Sequence, residues 1–345
     1  MRIVVNDIAA SEGGAMSVLK ELYQEIIDSN DDNEWIFLLN DYYLEEKPNI
    51  KIKILPDIKK SWIKRLNFDV FFGRRLINNL FPDIYISLQN TATLGIKAPQ
   101  FVYLHQILPF QKEKHFSFFK KEERLYAIYQ KIIGLIIKKT IKLSKSGVIV
   151  QTVYLANELK RQMNNDIYIL KPKVKPQRFF YEDKEVRTFF FPAADILYKN
   201  HEVIYKAIEI LNKQKIVNFK VFLTIENSGK YNVNTSNIIF LGKISREKVL
   251  EMYSKSILIF PSYIESYGIP LLEGMNSGTK IFAAKTEVSL EVLDGYPNSY
   301  FFDFFDANQL ANLMRKQIQE DIPYIPKNER KEDNDSLLDI ITRNR

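Results

Sequence analysis

Residues 261–278 read Pro-Ser-Tyr-Ile-Glu-Ser-Tyr-Gly-Ile-Pro-Leu-Leu-Glu-Gly-Met-Asn-Ser-Gly. An apolar run, 257–260, precedes them and a second, 280–284, follows. Strand, loop, short helix and strand, in that order, form the repeating unit of a parallel sheet. Pro270 suits the first helical position, which makes 266–269 the loop and Glu273 a first-turn residue. Gly268 lets the backbone come close to a ligand or take a positive φ. Glu265 and Glu273 lie eight positions apart. On one continuous helix that spacing would leave them about 80° apart around the axis. Pro270 argues instead for a loop acid and a helix-start acid.

The same alternation continues outward in both directions. Strands are expected at 2–6, 35–39, 51–55, 83–87, 101–104 and 148–151, with helices at 15–28, 70–80 and 153–163. Leu19, Leu22, Ile26 and Ile27 put one apolar stripe on the first helix. Around Lys171-Pro172-Lys173-Val174-Lys175-Pro176 the pattern breaks, because prolines among charges continue neither a helix nor a central strand. A second series follows, with strands at 188–191, 221–225, 238–241, 257–260, 280–284 and 300–303 and helices at 199–211, 245–253, 270–275 and 307–318. The expected class is α/β, with two Rossmann-like doubly wound domains facing each other across a cleft at the carboxyl ends of their strands. The expected boundaries are an N-terminal domain 1–171, a linker 172–187, a C-terminal domain 188–330 and a C-terminal tail 331–345 that is polar at first and ends in a short amphipathic stretch, 337–342.

Composition agrees with two domains. A chain of 345 residues is too long for one ordinary core, and 46% hydrophobic residues supply apolar material for both. The absence of Cys excludes disulfides and Cys-ligated zinc and fits a reducing compartment. The chain enters a strand at Arg2 with too short an apolar run for a signal peptide, and no segment approaches the ~20 apolar residues of a membrane span. A cytoplasmic protein is expected. Between Lys112 and Lys145, ten Lys/Arg face three Glu, equal to the whole chain's excess of +7. Phe116, Phe118, Phe119, Tyr126 and Tyr129 interleave with them. Such a segment suits either a packed helix with a solvated lysine face or docking on an anionic membrane surface. Nucleic-acid binding rests on charge alone.

Exposed N–H groups near Tyr267 to Leu271, at the positive end of a helix, form a candidate diphosphate site. Glu273 can accept from ribose hydroxyls and Glu265 can contact a sugar. Here the residues reach a resemblance. Pro261 to Gly278 is similar to the Glu-x7-Glu signature of family 4 glycosyltransferases, which have the two-domain GT-B architecture. The loop with Gly13 and Gly14 resembles the glycine pair that in this family faces the donor phosphates and the acceptor. His105, at the end of strand 101–104, resembles the family's histidine near the donor sugar, a sugar contact or proton-transfer assistant. Lys199 resembles the lysine that neutralises the departing β-phosphate, where charge develops. The family's accompanying arginine is replaced by Ala193, with Lys243 or Arg246 as substitutes. Val150-Gln-Thr-Val-Tyr, Ile239-Phe-Leu-Gly-Lys and the stretch from Glu287 to Gly295 echo the same family. The resemblance is dense from Phe240 to Gly295 and looser before it.

The resemblance implies catalytic roles for Glu265, His105 and Lys199. It implies donor binding by Gly13, Gly14, Lys199, Ser266, Tyr267, Gly268, Ile269, Leu271 and Glu273. It implies a nucleotide-diphosphate sugar as co-substrate and no bound metal; Asp333-Asn334-Asp335 reads as solvated loop. The expected reaction is sugar transfer, with retention, to a glycan or undecaprenyl-linked glycan acceptor. The expected setting is surface polysaccharide (capsule, O-antigen or exopolysaccharide) synthesis at the cytoplasmic face of the inner membrane. A non-catalytic nucleotide-sugar-binding partner subunit and a GT-B nucleotide-sugar epimerase are the alternatives.

Overall fold

Ile3, Val4 and Val5 have no solvent exposure and form the middle of strand β1 (Arg2–Asn6). A continuous apolar run is what a strand needs when both faces of a parallel sheet are covered. The structure is a computed structural model that describes residues 1–10, 13–29, 32–59, 61–174, 179–180, 187–227, 236–325 and 335–343. The chain divides into two compact units, Met1–Lys171 with Glu332–Arg345, and Pro172–Lys331.

The first unit continues with β2 (Glu34–Leu39), β3 (Ile50–Ile54), β4 (Ile84–Ser87), β5 (Gln100–Tyr103), β6 (Gly147–Val150) and β7 (Ile167–Ile169). Its sheet has the order β3-β2-β1-β4-β5-β6-β7, and every pair is parallel. Strand β7 escaped the sequence reading, because three half-buried residues on a sheet edge make a short signal. Helix α1 (Gly13–Asp28) buries Leu19, Leu22 and Ile26 on the sheet. Helices α2 (Pro56–Lys59), α3 (Trp62–Asn67) and α4 (Gly73–Asn78) lie before β4, with a π-helical turn at Phe68–Phe72. The basic segment is helical too, through α5 (Arg124–Ala127), a π-helical turn at Ile128–Ile133 and α6 (Gly134–Ser144). It packs through Ile137 and Ile141, and a Cβ at Gly134 would come within 2.6 Å of Pro109. Helix α7 (Val153–Lys160) is capped by Thr152, whose hydroxyl accepts from the Leu155 amide.

The second unit holds β8 (Thr188–Phe191), β9 (Lys220–Leu223), β10 (Ile238–Phe240), β11 (Ile257–Phe260), β12 (Ile281–Ala284) and β13 (Ser299–Phe302) in the parallel order β10-β9-β8-β11-β12-β13. Helices α8 (His201–Lys213), α9 (Arg246–Lys255), α10 (Ile269–Ser277) and α11 (Glu287–Val292) lie between strands, and α12 (Ala307–Glu320) follows β13. This is the doubly wound order in which successive crossovers leave the central strand pair toward opposite edges. That switch point lies between β8 and β11. In the first unit it lies between β1 and β4.

The amphipathic end expected at 337–342 is a helix, and it belongs to the first unit. Helix α13 (Leu337–Arg343) buries Leu337, Ile340 and Ile341 in the same core as Leu19, Leu22 and Ile26 of α1. The Leu338 amide donates to Glu25 Oε1 at 3.3 Å. Asp333 and Asn334 of the presumed solvated loop lie outside the described residues, as do 175–178 and 181–186 of the linker. Ile341→Ala should lower stability by about 2–5 kcal/mol in urea unfolding, the cost of emptying a packed core position. A detached tail would give no change.

Candidate active site

The loop after β11 and the turn after β8 meet at the switch point of the second unit. After Phe191 the chain makes a single 3-10 turn at Leu197–Lys199, then Asn200 takes φ +60° and α8 starts at His201. The expected helix at 199–211 therefore begins after Asn200, and Lys199 sits on the turn before it. Asn200 ties the turn down: its Nδ2 donates to Pro261 O at 3.3 Å and to Phe304 O at 2.5 Å. The Tyr263 amide donates to Tyr198 O at 3.1 Å. Lys199 is thereby held against the acidic loop, and its Nζ donates to Glu265 Oε1 at 2.6 Å. Their side chains are 19% and 14% exposed, so water screens the pair only in part. Lys199 and Glu265, singled out for different partners, are each other's partner here.

Gly268 is the N-cap of α10 with φ +85°, a conformation that favours glycine. Pro270 follows in the first turn, where its missing N–H leaves nothing unpaired. The helix begins one residue earlier than expected, so Glu273 lies beyond the first turn. One of the expected diphosphate contacts also changes. Leu271 has no exposure, and its amide donates to Gly268 O at 2.8 Å. Pro270 has no amide, which leaves Gly268 and Ile269 as the amides at the mouth of the helix. Ser266 and Ile269 are half-buried, while Tyr267 is buried.

Glu273 is 1% exposed and points away from solvent. Tyr253 Oη donates to its Oε2 at 3.0 Å, and Arg246 Nη1 donates to the same oxygen at 3.0 Å. Arg246 Nη2 contacts Oε1, completing a fork. The guanidinium itself is 60% exposed, so a buried carboxylate fixes a cation at the surface. Burial raises the Tyr253 phenol well above its ordinary range, keeping it a neutral donor. The sequence reading had Arg246 only as a substitute cation and missed Tyr253. Seven positions separate the two on α9, which returns them to nearly the same face, and that spacing was the available signal. Ala193, 8% exposed, offers no cation, and its carbonyl accepts from Thr224 Oγ1 at 3.4 Å.

Gly13, Gly14 and His105 belong to the first unit. Gly13 opens α1, and a Cβ on Gly14 would meet nothing within 4 Å. Packing against the described residues therefore does not require glycine there. Ser11 and Glu12 of that loop lie outside the described residues. The His105 ring stacks on Tyr103 at 4.5 Å between centroids, and its backbone amide donates to Asn90 Oδ1 at 2.6 Å. Burial lowers the imidazole to about 4, with a hydrogen bond to the Leu88 carbonyl opposing. Nε2 is buried with no partner among the described residues, which assigns the donated proton to Nδ1. A neutral histidine with an unused acceptor nitrogen can receive a hydrogen bond from a hydroxyl. At neutral pH it carries no second proton to give.

Among the described residues, no three His, Asp or Glu side chains converge on a metal site, and no helix is long and apolar enough to cross a membrane. Residues 174–334 match the family described as Glycosyl transferases group 1. The matched stretch includes Lys199, Arg246, Glu265 and Glu273. No curated protein sequence matches the chain significantly. Among solved structures, the chain is similar to a sucrose-phosphate synthase from Thermosynechococcus elongatus, with 13% identity over 92% of this chain and 90% of that one, at a TM-score of 0.68. It is also similar to WaaG, a glycosyltransferase involved in lipopolysaccharide biosynthesis, with 15% identity over 92% and 90% and a TM-score of 0.65. Anabaena HepE, solved with UDP and glucose, gives 14% identity, 93% and 90% coverage and a TM-score of 0.64. At these identities the likeness shows the fold, which is GT-B.

The His105 assignment has a pH consequence. The unfolded chain takes a proton near 6.5 while the folded ring resists it down to about 4. His105 therefore withdraws stability as pH falls from about 6.5 to about 4. Imidazole NMR should show the His105 ring staying neutral from pH 8 to pH 5; its titration near 6.5 would refute the buried, Nδ1-protonated state.

Proposed function

We propose that the protein transfers a sugar from a nucleotide-diphosphate sugar to a hydroxyl of a glycan or lipid-linked glycan, with retention. The observation that carries this reading is the second unit's switch point, where the Lys199–Glu265 pair and the Gly268 helix start meet within the residues matching the glycosyltransferase family. Negative charge builds on the diphosphate as the glycosidic bond breaks, and a positioned cation with helix-start amides stabilises it. Lys199 is that cation, and Gly268 and Ile269 supply the amides. Without ligand, Glu265 neutralises Lys199. A phosphate that takes over the lysine releases the carboxylate toward the sugar hydroxyls. Ser266 and Tyr267 line the donor, and Gly13, Gly14 and His105 of the first unit are proposed sugar contacts. Glu273 receives the ribose hydroxyls in exchange for part of its contact with Arg246. No metal is needed on this reading.

Surface polysaccharide synthesis is the proposed setting, supported by similarity of fold to WaaG. Peripheral attachment to the inner leaflet is proposed from the exposed face of the basic helical stretch. That face carries Lys131, Ile132, Leu135, Lys139, Lys142 and Leu143, with Phe119 and Leu125 exposed nearby. Lys138 contributes less, being half-buried with its Nζ 5.0 Å from the Phe110 ring centre. A non-catalytic nucleotide-sugar-binding role is the second reading, favoured by Ala193 where the resembled family has arginine.

Thermal unfolding with UDP, GDP, ADP, CDP and TDP diphosphates tests the donor assignment, since a ligand bound only by the native state raises the transition. One of them should stabilise the wild type, and Lys199→Ala should weaken that ligand by about tenfold or more, the size of a lost charged hydrogen bond. No stabilisation by any nucleotide, or equal affinity in the variant, would refute it. Changing Lys139, Lys142 and Lys145 to Gln should cut binding to phosphatidylglycerol vesicles by about a hundredfold, at roughly 1 kcal/mol per lysine. Unchanged binding would remove the membrane proposal.

A further inference from the structure

At the first unit's switch point, a cavity of about 90 Å³ opens between the loops after β1 and β4, helix α3 and the helical stretch that leads into α6. Asp7, Trp62, Arg65, Asp69, Asn90 and Tyr129 are among its walls. Asp7 is 1% exposed, and its Oδ2 has no hydrogen-bond partner among the described residues. Arg65 Nε, in the same lining, is also buried without a partner. A buried polar atom left without a hydrogen bond destabilises the fold, so two such atoms in the lining of one cavity need a reason outside packing.

Asp69 is a different case. Thr91 Oγ1 donates to its Oδ2 at 2.5 Å and Thr93 Oγ1 to its Oδ1 at 3.0 Å. Thr93 is tied in turn to Tyr85, and Tyr85 to Asn6. Asp69 therefore belongs to the scaffold behind the wall. Burial holds its carboxyl at about 6 and raises that of Asp7 as well. The loop bearing Asp7 is fixed by Asn40 Nδ2, which donates to Ile8 O at 2.9 Å and to Ala10 O at 2.5 Å.

These groups define the ligand by elimination. An anion facing Arg65 would also face Asp7 and Asp69. A cation facing Asp7 would meet the guanidinium. A hydroxyl both donates and accepts, so a neutral polyol satisfies both orphans at once. The volume is that of about three waters, enough for one edge of a ring with two hydroxyls. Trp62 and Tyr129 offer flat apolar surface to its carbon face.

We propose that this cavity binds one edge of a sugar ring, with one hydroxyl donating to Asp7 and a neighbouring oxygen accepting from Arg65. This rests on the glycosyltransferase reading to the extent that the ring is the acceptor's. Asp7 and Arg65 then determine which acceptor edge is admitted, independently of the nucleotide site in the second unit.

Saturation-transfer NMR with methyl α-glucoside, methyl α-galactoside and methyl α-N-acetylglucosaminide tests it on the full chain, alongside thermal stabilisation by the best nucleoside diphosphate. At least one glycoside should bind the wild type and bind roughly tenfold more weakly to Asp7→Asn and to Arg65→Met, as removal of one charge-assisted hydrogen bond implies. Nucleotide stabilisation should be unchanged in both variants, which also shows them folded. Equal glycoside binding in both variants, no glycoside binding, or displacement by millimolar inorganic phosphate would overturn the subsite. Glycoside binding lost in the variants, in a protein that binds no nucleotide, would uphold the subsite and refute the transferase reading instead.

Discussion

At Gly268 the backbone takes a φ of +85°, and that single turn converts the loop after β11 into the start of α10. A side chain there would be strained by about 1–2 kcal/mol and would press on Leu271 and Phe260. The rest of the motif works outward from this point. Gly274 lets α10 lie close against β11 and β12, since a Cβ would come within 3.0 Å of Leu258 and 3.2 Å of Ile281. Gly278, at φ +82°, closes the helix with a left-handed cap. With both ends of the helix fixed, Glu265 falls before it and Glu273 inside it.

The two carboxylates then receive two cations of different character. Lys199 meets Glu265 in a partly screened contact between flexible side chains, which a phosphate can replace. Arg246 and Tyr253 hold Glu273 where water does not reach the carboxylate, although the guanidinium is 60% exposed, so losing both partners would leave a buried acid uncompensated. The first pair suits exchange with a ligand. The second is held more firmly, and on the proposed reading it gives up only part of its Arg246 contact to the ribose. A loss of function on changing Glu273 therefore has to be separated from a loss of fold.

The sheet strands could be read from the sequence because their apolar runs are continuous and bounded by turn residues. Ile257–Phe260 and Thr188–Phe191 are where the pattern put them. Short elements were harder: β7 is a half-buried edge, whereas the amphipathic end at 337–342 was legible but gave no sign that it packs on the first unit. Lys199 looked like a helix start because nothing local announces that Asn200 adopts a left-handed conformation. The roles of Leu271 and Glu273 were misplaced by one helix register, since Gly268 and not Ile269 is the cap. The Asp7 and Arg65 cavity was invisible for another reason. Its walls come from the loops after β1 and β4, from α3 and from the helical stretch leading into α6, and only the fold brings them together.

Hydrogen exchange of the whole chain, with and without a stabilising nucleoside diphosphate, locates the ligand without presuming a reaction. Slowed exchange centred on residues 197–200 and 262–274 is what a donor site at this strand-to-helix turn predicts. Slowed exchange confined to the first unit, or none at saturating nucleotide, would contradict it.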